Sequence, residues 1–260
     1  MNICIDVGNS TISLGIFKEN KLFKKLTFTT DTLKTDDEYS SLLVHALKQI
    51  EVDFKDVDGV IYSSVVPPIN QPLKSALKRI FKKEIVTIEP GTKTGLIIRV
   101  DNPNEIGNDL IADLVGAKEK YGYPILIADL GTASKILLID KNGVFNSCLI
   151  MPGLSISAQT LSSKAALLPE VSLDAPKTIL AKNTVEAMNA GIVFGHAEMI
   201  LGLAHRYEKE LGYPCKKILT GGGSVFLKDI LKDEFHYDSD VCLEGLNVIL
   251  KKNGGAYYEK

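Results

Sequence analysis

The 260-residue sequence lacks the features that mark several specialised classes. It has no excess of either charge: 30 Lys and Arg stand against 32 Asp and Glu, a net charge of −2, so its electrostatics recruit no polyanion. Its four cysteines, Cys4, Cys148, Cys215 and Cys242, lie far apart with no C-x-x-C pair, which argues against a disulfide framework and a zinc cage. Reduced thiols fit a cytoplasmic protein. No run approaches the roughly 20 apolar residues of a membrane helix, and Asp6 interrupts the first apolar stretch where a secretory signal would continue. His45, His196, His205 and His236 match no metal-ligand spacing and are expected on helix surfaces or in the core. The absence of H-E-x-x-H and G-x-S-x-G argues against metalloprotease and serine-hydrolase chemistry. Lysine pairs such as Lys24-Lys25 and Lys216-Lys217 are scattered without aromatic interleaving, as on a solvated surface. The expectation is a cytoplasmic protein with neither a membrane nor a nucleic-acid partner.

What is present is ordinary globular material, 45% hydrophobic and 24% charged, enough for a sizeable core. Ile3–Ser10, Thr11–Lys18 and Leu22–Thr29 are short β-prone runs split by turn residues, which predicts an antiparallel meander. Thr35 and Glu38 have capping-box spacing, and Leu42, Leu43, Ala46, Leu47 and Ile50 recur with helical period. A strand over 59–66, a helix over 72–81 and a strand over 84–88 complete a βββαβαβ half. A second apolar strand then delivers Asp129-Leu130-Gly131-Thr132-Ala133 into another hairpin, 123 residues after Asp6. That interval is close to half the chain and predicts a duplicated α/β unit, with halves at 1–115 and 116–260. A helix over 109–120 lies in the segment joining them; one over 184–211, a strand over 216–220, a glycine turn and a helix over 225–231 follow.

Three strings are candidates for chemistry. In Asp6-Val7-Gly8-Asn9-Ser10, Gly8 permits a tight turn at a strand end, so the following amides and hydroxyls can face phosphate oxygens, while Asp6 can hold magnesium through water. Asp129-Leu130-Gly131-Thr132-Ala133 repeats the device. Thr220-Gly221-Gly222-Gly223-Ser224 follows a strand and lets backbone approach a nucleotide closely, although it lacks the dinucleotide fingerprint, and no G-x-x-x-x-G-K-[ST] occurs.

These elements, in this order and duplicated, resemble the actin-like ATPase and sugar-kinase superfamily, with its ribonuclease H-like halves around a nucleotide cleft. More narrowly, the chain resembles the type III pantothenate kinase family over essentially its whole length. Strings carrying the likeness include Ser63-Ser64-Val65-Val66-Pro67, Asn102-Pro103, Gly107-Asn108-Asp109, Pro152-Gly153-Leu154, Lys182-Asn183-Thr184 and Leu243-Glu244-Gly245-Leu246. The resemblance implies ATP-dependent phosphorylation of the primary hydroxyl of pantothenate, the first step towards coenzyme A. It implies that Asp6, Val7, Gly8, Asn9, Ser10, Thr11, Ile12, Ser13 and Thr132 bind ATP and that Asp109 accepts the alcohol proton. It places the acceptor against Val100, Gly107, Asn108, Asp109 and Leu110, with Thr184 reaching it from the partner in a homodimer with shared sites. Asp129 would hold a monovalent cation, K+ or NH4+. Without the resemblance, Asp109 reads as a helix N-cap.

Departures from the family pattern cluster on the acceptor side. Leu110 stands where the pattern has arginine, Val100 where it has tyrosine, Lys135 where it has threonine, and Asn146-Ser147 where it has two glycines. They leave open a kinase for another small alcohol, or a relative that binds nucleotide and regulates. Residues 129, 131, 133 and 135 share one face by strand alternation, so Lys135 could stand in for the cation at Asp129. The alternative is a Lys135 in solvent, since along an extended strand the two positions lie some way apart. Apolar residues spread widely around the 184–211 helix, including Val185, Met188, Ile192, Val193 and Met199, which predicts a second copy covering it.

Overall fold

The computed structural model describes residues 1–254. The chain forms two compact units: Met1–Gly95 with Asn102–Gly116 and the last helix, and Leu96–Asp101 with Ala117–Asp240.

In the first unit, β1 (Asn2–Val7), β2 (Thr11–Lys18) and β3 (Lys21–Thr29) form the expected meander. Glu19 and Asn20 both have positive φ, 47° and 73°, as a two-residue hairpin whose twist matches its strands requires. Helix α1 (Asp36–Gln49) carries the expected capping box between Thr35 and Glu38. After it come β4 (Gly59–Ser64), α2 (Pro67–Phe81) and β5 (Ile85–Thr87). Helix α2 starts before the expected Pro72 because Pro67 and Pro68 occupy its first positions, where an intrahelical N–H is not needed. The sheet order is β3-β2-β1-β4-β5, with β1, β4 and β5 parallel. Ile3, Cys4 and Ile5 are all fully buried, so β1 is covered on both faces.

The second unit repeats this plan. After the short β6 (Ile97–Ile98) and helix α3 (Asn108–Tyr121), which runs from one unit into the other, β7 (Ile125–Leu130), β8 (Ala133–Ile139) and β9 (Val144–Pro152) form a second meander. Helices α4 (Leu154–Lys164) and α5 (Thr184–Leu211) precede β10 (Lys216–Thr220) and β11 (His236–Tyr237). The order is β11-β10-β7-β8-β9-β6. Its first five strands have the order and directions of the first sheet, and β6 adds an edge. The duplication inferred from two aspartates is thus a duplication of topology.

Three expectations need correction. The segment 225–231 is not a helix: a 3₁₀ turn spans Gly222–Phe226, with the Ser224 hydroxyl donating to the Gly221 carbonyl. The last helix, α6 (Val241–Gly254), groups with the first unit and not with residues 116–240, because Leu243 packs beside Gly15 of β2 and Leu250 beside Gly59 of β4. Helix α5 is long and apolar enough to cross a membrane by length and composition. Half of its most apolar window is nevertheless buried within the unit, as in a core helix.

Candidate functional site

The first hairpin ends the β1 strand at its C-terminal edge. The Gly8 amide donates to the Thr11 carbonyl at 2.9 Å, and the Thr30 hydroxyl donates to the Gly8 carbonyl at 2.6 Å, so the turn is held from both sides. Asn9, Ser10 and Thr11 are exposed at its tip. Val7 and Ile12 turn their side chains into the core, which leaves only their backbone to face a ligand. Asp6 lies across from Ser13 of β2 and Ser63 of β4. The Ser63 hydroxyl is buried and makes no hydrogen bond among the described residues. An oxygen-only set beside a carboxylate fits a hard cation such as magnesium, which is held by one or two carboxylates, water and phosphate. Among the described residues no cluster of three metal-ligating side chains offers a full protein cage.

In the second unit, Asp129 and Lys135 are direct partners across the β7–β8 ladder. The Lys135 ammonium lies 2.9 Å from the Asp129 carboxylate, with both side chains largely buried, so Lys135 does not extend into solvent. A distance counted along one strand misjudged a pair that the hairpin folds back into contact. Gly221 closes the other side: its φ is 85°, and a Cβ there would come within 2.5 Å of an Asp129 carboxylate oxygen. Thr132 is exposed at the hairpin tip.

Asp109 sits in the first turn of α3. The Gly107 carbonyl accepts the Ile111 amide, so Gly107 occupies the capping position and Asp109 lies inside the helix. Its carboxylate folds over Gly107, where any Cβ would collide with it. Leu110 is 8% exposed and belongs to the core.

The other acceptor-side positions scatter. Val100 belongs to the second unit. Ser147 bonds the Tyr207 hydroxyl, and Asn146 donates to Asp140. Thr184 is the first residue of α5 and lines an open, mainly apolar groove of about 660 Å³ between α4 and α5. Of the four histidines, only His196 is buried; its ring meets the Ser134 hydroxyl at 2.7 Å, and burial lowers its pKa.

A model of the type III pantothenate kinase family matches residues 2–206. A type III pantothenate kinase from Exiguobacterium sp. (strain ATCC BAA-1283 / AT1b) is 38% identical over 97% of this chain and 99% of its own. Among solved structures, component A of (R)-2-hydroxyglutaryl-CoA dehydratase from Acidaminococcus fermentans superposes with a TM-score of 0.58 at 15% identity, covering 98% of both chains. MreB 5 of Spiroplasma citri, bound to AMPPNP, does so with a TM-score of 0.51 at 13% identity, over 98% of this chain and 97% of that one. The duplicated sheets are those of the actin-like ATPase and sugar-kinase fold, and with the family match spanning both meanders and the Gly107-Asn108-Asp109 turn, the chain belongs to the type III pantothenate kinase family.

Proposed function

We propose that this protein phosphorylates the primary hydroxyl of pantothenate with ATP, giving phosphopantothenate, the first step towards coenzyme A. The observation that carries the reading is Asp109, whose carboxylate lies over Gly107 at the start of α3 in a chain of this family. Phosphoryl transfer asks mainly for alignment and charge stabilisation, with one carboxylate to take the alcohol proton. Asp109 takes that proton. The backbone and hydroxyls of Asn9, Ser10, Thr11 and Ser13 hold phosphate oxygens from the first hairpin, and Thr132 holds them from the second. Asp6 would hold magnesium, which when bound would supply neutralisation of developing phosphate charge.

Lys135 takes the place of a dissolved monovalent cation at Asp129. The carboxylate that would hold K+ or NH4+ is already met by an ammonium of the same charge. The protein acts in the cytoplasm as a homodimer. The groove between α4 and α5 exposes Ile156 and Leu161, with Ile150, Leu167 and Val185 also exposed in this unit, and a second copy covers this face and presents Thr184 to its neighbour's acceptor.

The test is ADP release from purified protein with ATP and magnesium, with and without pantothenate. Release that depends on pantothenate supports the reading. ATP binding with no release at high enzyme concentration would favour the regulatory alternative, to which the buried Leu110 in place of arginine lends its weight.

A further inference from the structure

With Leu110 in the core, no guanidinium at that position faces a substrate carboxylate. A charged side chain instead lines a cavity that Asn108, beside Asp109, also lines. A cavity of about 210 Å³ within the first unit is lined by Tyr62 of β4, Thr87 and Glu89 at the end of β5, Asn70 and Lys74 on α2, and Asn108, the residue before Asp109. Asn70 and Lys74 are four residues apart and therefore present one helix face. Lys74 is half-buried and makes no ion pair among the described residues. The side-chain carbonyl of Asn70 is buried and accepts no hydrogen bond among the described residues. Glu89 accepts from the Thr87 hydroxyl at 2.5 Å, and burial together with the Glu89 charge raises the Tyr62 phenol above its ordinary pKa. The pocket thus has a cationic pole at Lys74 and hydrogen-bond acceptors at Asn70 and Glu89.

A buried carbonyl without a donor is costly, and an ammonium without a carboxylate is a point charge awaiting one. We infer that this pocket holds the non-reacting end of the alcohol substrate, Lys74 pairing with its carboxylate and the Asn70 carbonyl accepting from an amide N–H. The inference rests on the phosphorylation reading and deepens it: the acceptor class is a hydroxy acid amide with one carboxylate, and Lys74 supplies the charge that Leu110 does not.

The experiment compares pantothenate with its uncharged N-methyl amide as acceptors. For the parent, kcat/KM favours the carboxylate. In Lys74→Met the ratio of the two kcat/KM values falls about ten- to 150-fold, the worth of one charge-assisted hydrogen bond, and Lys74→Arg retains most of the preference. An unchanged ratio in Lys74→Met overturns the inference. If the parent turns over neither compound, the phosphorylation reading has failed on its own. Calorimetry with pantothenate then decides the pocket: weaker binding by Lys74→Met upholds it, and equal affinity removes it.

Discussion

Lys135 faces Asp129 across two antiparallel strands, and a cross-strand pair of opposite charge in a largely buried position holds both side chains to one geometry. Initial rates in sodium and potassium buffers are therefore expected to be nearly equal for the parent, while Lys135→Thr should acquire a potassium requirement. A strong requirement in the parent would show that Lys135 does not fill the cation's role. Asp109→Asn keeps the shape of the side chain and removes the proton acceptor, so kcat should fall by about 10²- to 10⁴-fold with ATP binding retained. Near-normal turnover would reduce Asp109 to a helix-terminal residue. His196 makes stability depend on pH. Burial lowers its folded pKa, and the unfolded ring sits near the ordinary value of about 6.5. Below that value the unfolded chain takes up a proton that the folded core resists, so stability is fully present above about pH 6.5 and declines as pH falls beneath it. The urea midpoint should drop between about pH 7.5 and 5.5, and less so in His196→Gln.

Helices and hairpins with local punctuation were legible from the sequence. The Thr35–Glu38 box starts α1 where it was expected, and α5 begins at the expected Thr184 behind an Asn183 cap, since those groups satisfy backbone donors within a few residues. Asn183 accepts the Glu186 amide at 2.9 Å, and Gly212 ends α5 with a φ of 74°. What failed depended on distant packing. Val225–Leu231 looks helical by composition, but the Gly221 turn and its Ser224 bond divert the chain into a short 3₁₀ turn. The pairing of Lys135 with Asp129 is local but follows hairpin register, which spacing along a single strand does not give. Nothing local in Asn70 or Lys74 marked them, because their common pocket needs α2, β4, β5 and the start of α3 together. The Gly221 turn offers a test at this scale. A methyl side chain at this position would be held at a left-handed φ and would meet Asp129 and the Leu130 backbone, so Gly221→Ala should lower unfolding stability by at least about 1 kcal/mol. A melting temperature equal to the parent's would contradict this packing.

At the level of the whole molecule, two sheets with the same five-strand order give one chain two Asp-bearing hairpins, and a single family model spans both. The exposed apolar face around α4 and α5 predicts a dimeric mass by light scattering at micromolar concentration; a monomer would remove the shared site and the role of Thr184 with it. The central claim is that this fold, with Asp109 as its base, transfers phosphate to a primary alcohol. The most direct measurement is phosphorus NMR of the parent and Asp109→Asn incubated with ATP, magnesium and pantothenate. The parent should yield a phosphomonoester on the primary hydroxyl, and the variant almost none in the same time. Absence of the ester with the parent, or equal yield from the variant, would contradict the account.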